Sequence, residues 1–101
     1  MPIVYQQDAQ HLTALLSGEL DHHAAKEVME DLQRHMDAAR PHRVTLDLSG
    51  LTFTDSSGIA VVLRAWKQAQ SLHSPMRIVH IPPQADRVFR AAGLHQIIPF
   101  D

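Results

Sequence analysis

Two short stretches of this 101-residue sequence gather the side chains able to do chemistry, Asp21-His22-His23 and Asp55-Ser56-Ser57-Gly58. A serine where a helix begins usually accepts a bond from an unpaired backbone N–H and contributes about 1 kcal/mol as a cap. The same position suits a second use. A helix N-terminus carries free donors and a partial positive charge, so a phosphate on Ser56 would be tolerated by the fold and could bond to the helix end. It would add about −1.5 to −2 charge to a chain whose formal charge is −2. The surface would change while the domain stayed folded.

Other chemistries fit less well. The chain has 8 histidines, which raises the question of a metal, but adjacent residues at a helix start point about 100° apart, so His22 and His23 do not readily chelate one ion. His11, His35, His42, His73, His80 and His95 are scattered, whereas first-row metal sites need convergent ligands at defined spacing. These histidines read as surface residues, with His80 half-buried on its strand. Ser56 lies in Asp-Ser-Ser-Gly rather than in the Gly-x-Ser-x-Gly elbow of a serine hydrolase, and no chain-order partner is identifiable. The Asp-His-His string occurs in one phosphoesterase superfamily, whose other acidic metal-binding motifs are absent here. An enzyme using Asp21, His22 and Ser56 is therefore expected to show nothing above background on generic ester and phosphoester substrates. Leu63, Trp66 and Ala69 at helical spacing read as packing rather than as a cofactor box.

The elements that must position these loops follow from apolar periodicity. Ile3-Val4-Tyr5 and Leu12 to Leu16, separated by a polar stretch, predict an antiparallel hairpin with strands near 3–6 and 11–17. From Asp21, a plausible cap, Ala25, Val28, Leu32, Met36 and Ala39 recur at helical spacing, which predicts a helix over 22–39 that stops before Pro41. Val44, Leu46 and Leu48 alternate with Thr45 and Asp47 in a strand over 43–48. A loop from Ser49 to Thr54 leads to a helix over 57–73 whose Ile59, Val62, Leu63, Trp66 and Ala69 share one face. A strand near 76–81 is halted by Pro82-Pro83, a helix over 84–92 ends at Gly93, and a brief final strand is expected around Ile97-Ile98. Val28, Leu32, Val44, Leu46, Leu48, Ile59, Val62 and Leu63 are the expected core.

This order describes an α/β domain with a mixed sheet of four to five strands and helices packed on it, a single domain over 1–101. The second and third strands are expected to be parallel neighbours or near neighbours. Strand-to-helix loops then leave the carboxyl edge of the sheet, where open α/β proteins place ligands, so three loops should converge: Gly18 to Asp21, Thr54 to Gly58, and Pro82-Pro83. Composition narrows the partners. Lys+Arg 9 against Asp+Glu 11 leaves no positive excess to hold nucleic acid or an anionic membrane. No cysteine, no leader-like start and no bilayer-length apolar run are present, which predicts a soluble, cytoplasmic protein.

Taken with their surroundings, the loops resemble a known family. Gly18-Glu19-Leu20-Asp21-His22-His23-Ala24-Ala25, the run Val44 to Val61 containing Leu46-Asp47-Leu48 and Thr54-Asp55-Ser56-Ser57-Gly58, and Ala92-Gly93-Leu94 followed by Ile97-Ile98 fall in the order and separation of the anti-sigma factor antagonist branch of the STAS domain family. The likeness is nearest to the sporulation type and covers almost the whole chain. It implies that Ser56, directly after the aspartate, is phosphorylated by an anti-sigma factor that is also a serine kinase, and that a metal-dependent serine phosphatase restores it. The unphosphorylated form would bind the kinase and free the sigma factor; the phosphorylated form would let go. Glu19, Asp21, His22, Asp55, Ser56, Ser57 and Gly58 would then form the partner-binding surface, with no catalytic activity, cofactor or metal. The alternative within the same fold is an accessory STAS subunit of a transporter or sensory complex, docking through that surface without a phospho-switch. Sporulation-type relatives continue into a further helix where this sequence ends at Phe100-Asp101, which leaves open what lies on that face.

Overall fold

The computed structural model describes residues 3–101. Strands β1 (Ile3–Asp8) and β2 (His11–Leu20) form the expected hairpin, closed by a tight turn in which Ala9 takes φ 53°, as two-residue hairpin turns require. Helix α1 (His22–Ala39) carries the chain to β3 (Arg43–Thr54), which lies beside β2 in parallel. Helix α2 (Ser56–Ser71) leads to β4 (Met76–Val79), parallel to β3, and helix α3 (Pro83–Ala91) follows. Among the described residues the sheet order is β1-β2-β3-β4, mixed as expected.

The alternation that predicted the strands also sets the core. Leu12, Ala14 and Leu16 of β2 and Val44, Leu46 and Leu48 of β3 are buried with Val28, Leu32 and Met36 of α1, so one face of the sheet is covered by helices. Arg40 ends α1 in the left-handed region one residue before Pro41.

Four expectations need correcting. The stretch from Ser49 to Thr54 is the second half of β3 rather than a loop, and β2 likewise extends through Gly18 to Leu20. The pairing survives there by shifting register between Leu15 and Ser17 and again between Gly18 and Glu19, the mark of β-bulges, which absorb the turn-like Ser49-Gly50 without ending the strand. In α2 the buried stripe is Gly58, Val61, Val62, Ala65 and Ala69, so Ile59 and Leu63 are only half-buried. Small residues on that stripe let the helix approach closely, and the larger Ile59, Leu63 and Trp66 pack at its margins. Ile97-Ile98 is not a strand: Gly93, at φ 79°, turns the chain into a 3-10 turn over Leu94–Gln96, and Leu94 and Ile98, four apart, both point inward. The edge of β4 is met slightly later, by Phe100 opposite Ile78. Finally, β4 stops at Val79, and His80 is exposed beyond it with φ 56°, its Nδ1 3.1 Å from Asp47 Oδ2.

Candidate functional site

The parallel ladder between β2 and β3 ends with Leu20 opposite Thr54. The next residue of each strand is an aspartate, and each aspartate caps a helix. Asp21 Oδ1 accepts from the backbone N–H groups of His23 and Ala24, both at 3.0 Å, and Asp55 Oδ1 accepts from the Ser57 N–H at 2.8 Å. The two helix starts therefore sit side by side at the carboxyl edge, as the connectivity requires. The bond from the Ala24 N–H holds the Asp21 carboxyl below its ordinary range despite some desolvation, with the His23 N–H and imidazole adding to the effect.

Asp55, rather than either serine, caps α2. Its side chain occupies the donor that a capping serine would have taken, and Ser57 donates that bond through its backbone N–H. Ser56 is the first helical residue and is exposed; Ser57 is half-buried and Gly58 is buried. Glu19 is exposed on β2 opposite Phe53, and His22 and His23 are both exposed at the start of α1. Their rings lie edge to face, 6.0 Å between centroids. Among the described residues no three His, Asp or Glu side chains converge as metal ligands would.

Three residues build this edge: Thr54 and Gly58, which belong to the expected loop, and Gln84, which sequence patterning passed over as a site residue. Thr54 is buried, and its hydroxyl donates to the Leu20 carbonyl at 3.1 Å, tying the ends of β2 and β3 together through a side chain. Gly58 packs directly over that hydroxyl: a Cβ there would overlap Thr54 Oγ1. Gln84, in the first turn of α3, accepts from the Thr54 N–H at 3.0 Å and donates to the Thr54 carbonyl at 2.8 Å. That pair of hydrogen bonds brings the third loop, Pro82-Pro83, against the end of β3. Phe53, one of the large apolar side chains left exposed, flanks the same edge.

The carboxyl edge of this mixed sheet thus presents two aspartate-capped helix starts beside an exposed serine. Residues 3–99 match the family model described as Mlab, STAS domain. The chain belongs to the anti-sigma factor antagonists of that family. It is 32 % identical over 88 residues to the anti-sigma F factor antagonist of Paenibacillus polymyxa, spanning 87 % of this chain and 75 % of that protein. Two solved structures share the fold. The anti-sigma factor antagonist SpoIIAA in its unphosphorylated form superposes with a TM-score of 0.84 at 21 % identity, over 98 % of this chain and 87 % of that one. The Bacillus cell fate determinant SpoIIAA in its phosphorylated form gives a TM-score of 0.75 at 21 % identity, over 98 % and 90 %.

Proposed function

We propose that this protein is a phosphorylation-controlled anti-sigma factor antagonist, a regulatory binding protein rather than an enzyme, with Ser56 as its phosphoacceptor. The observation that carries the reading is the placement of Ser56: exposed on the first turn of α2, one strand away from the start of α1. The name of the Paenibacillus relative, and the existence of a fold neighbour solved both with and without phosphate, support it.

The partner is an anti-sigma factor that is also a serine kinase. To phosphorylate Ser56 it brings the γ-phosphate of ATP to about 3–3.5 Å from the hydroxyl, so the carboxyl edge packs against an acidic, magnesium-bearing site. Glu19, Asp21, His22, Asp55, Ser57 and Gly58 form or shape the contacting surface. Once Ser56 carries a dianion, repulsion in a partly desolvated interface costs several kcal/mol. Each 1.4 kcal/mol is about tenfold in affinity, so release needs no change of fold. A serine phosphatase resets the cycle.

The test is phosphopeptide mapping after incubation with the cognate kinase and ATP, together with binding measurements. Ser56→Ala should keep the fold, resist phosphorylation and bind constitutively; Ser56→Asp should keep the fold and bind weakly; Ser57→Ala should still be phosphorylated. Label on Ser57 with Ser56 untouched, or no label at all, would contradict the reading.

A further inference from the structure

We propose that Gln84 is a positioning residue for phosphoryl transfer to Ser56, acting through the backbone of Thr54. The inference rests on Ser56 being the phosphoacceptor. Its basis is the geometry at the end of β3. In an extended strand the N–H and C=O of one residue point to the same side, and the partner on that side, β4, stops at Val79 opposite Asp47. Among the described residues the far half of β3 therefore has β2 on one side and no strand on the other.

At Thr54 the side chain of Gln84 stands in for the missing strand, accepting from the N–H at 3.0 Å and donating to the C=O at 2.8 Å. The β2 side of this end is already irregular, with a register shift between Gly18 and Glu19. Gln84 thus fixes the direction in which Asp55 and Ser56 leave the sheet. It does so from α3, an element that contributes no residue to the contacting surface. A primary amide is well suited to this, since it offers one acceptor and one donor in the same plane. A carboxylate would keep the bond to the N–H and repel the carbonyl.

Phosphoryl transfer is sensitive to such placement, because a shift of about 1 Å in a reacting group can cost on the order of a hundredfold in rate. Loss of the Gln84 clamp loosens one flank of β3 while leaving the Thr54 hydroxyl and the Asp55 cap in place. A drop of about tenfold in kcat is the corresponding expectation. KM should stay within about twofold, because removing an interaction that tightens only the reacting geometry lowers kcat alone.

The experiment compares the parent with Gln84→Met, which keeps side-chain length without the amide, and Gln84→Glu. Steady-state phosphorylation by the cognate kinase is measured beside amide hydrogen exchange at Thr54 in the protein alone, and urea midpoints confirm the fold. Support is faster exchange at Thr54 in Gln84→Met, with kcat lowered in both variants and KM unchanged. Parent-like kcat in Gln84→Met overturns the proposal, as does a loss that appears entirely in KM. If the parent itself accepts no phosphate on Ser56, the phosphoacceptor reading fails and the positioning role fails with it. Unaltered Thr54 exchange in Gln84→Met, with a parent that is phosphorylated, overturns the clamp alone.

Discussion

Replacing Gly58 by alanine sets the preference of a helix against the space around it. Alanine inside a helix is favoured over glycine by roughly 1 kcal/mol, so on propensity alone Gly58→Ala would stabilise α2. The surroundings reverse the sign. The added Cβ overlaps Thr54 Oγ1 and comes within 3.3 Å of both Leu20 Cδ2 and Thr54 Cβ. Thr54 Oγ1 has little freedom to yield, because it donates to the Leu20 carbonyl at 3.1 Å and the residue is buried. Turning the hydroxyl away strips that bond inside the core at about 1–3 kcal/mol, and moving α2 outward costs a further ~1–3 kcal/mol in packing. After the gain in propensity is subtracted, the net loss is about 1–5 kcal/mol, which at a urea m-value of about 1.5 kcal/mol/M reads as a midpoint lower by roughly 1–3 M. The control is Thr54→Ala. That change removes the overlapping oxygen and leaves two contacts at 3.3 Å, to the end of the flexible Leu20 side chain and to the Cβ of residue 54, which a shift of a few tenths of an ångström relieves. In the Thr54→Ala background, Gly58→Ala should therefore be close to neutral or mildly stabilising. An equal midpoint shift in both backgrounds would show that the two sites do not couple and would refute the steric account.

Two further outcomes follow from the core and from the pH response. Leu46 is fully buried in the central strand β3, so Leu46→Ala should cost about 2–5 kcal/mol in urea unfolding, and an unchanged midpoint would contradict its place there. Burial opposes ionisation of Asp47, but bonds from Ser49 and from the His80 ring outweigh it and hold the carboxyl below its ordinary value of 3.8. Stabilisation from a depressed carboxylate is fully present above the unfolded value and is lost as pH falls through the folded one. Asp47→Asn should thus be less stable than the parent at about pH 7 and should converge with it at about pH 2; a constant gap between the two across that range would count against the bonds that Asp47 accepts.

The legible parts of this molecule are those where one local signal decides the structure. Helix α1 begins after Asp21 and ends before Pro41 because a capping carboxylate and a proline act within a few residues of their own position. The convergence of the Asp21 and Ser56 loops was equally readable, since it depends on connectivity alone. What was hidden depends on neighbours distant in sequence. Ser49-Gly50 looks like a turn until β2 is present to hold it in a bulged ladder. The buried face of α2 is chosen by how near the helix can approach, which favours Gly58 and Ala65 over Ile59 and Leu63. Gln84, a polar residue after two prolines, gives no sign that its amide meets a strand end 30 positions earlier.

The arrangement at the carboxyl edge bears on how the proposed switch would work, through added charge rather than refolding. Both helix starts already have a carboxylate on their free donors, so the strongest local sinks for negative charge are partly filled before any phosphate arrives. No lysine or arginine occurs from Ser17 to Ala25 or from Leu51 to Leu63, and His22 and His23 are the basic side chains of these stretches. Glu19 is exposed at the same edge and adds to the negative field. A phosphate on Ser56 would find no arginine or lysine within these loops to pair with. The end of β3 is held meanwhile by Leu20 on one side and Gln84 on the other, through bonds that do not involve the Ser56 side chain. On the proposed reading, a charge added at the exposed Ser56 would stand on this fixed frame, and a bound partner would be the component that responds to it.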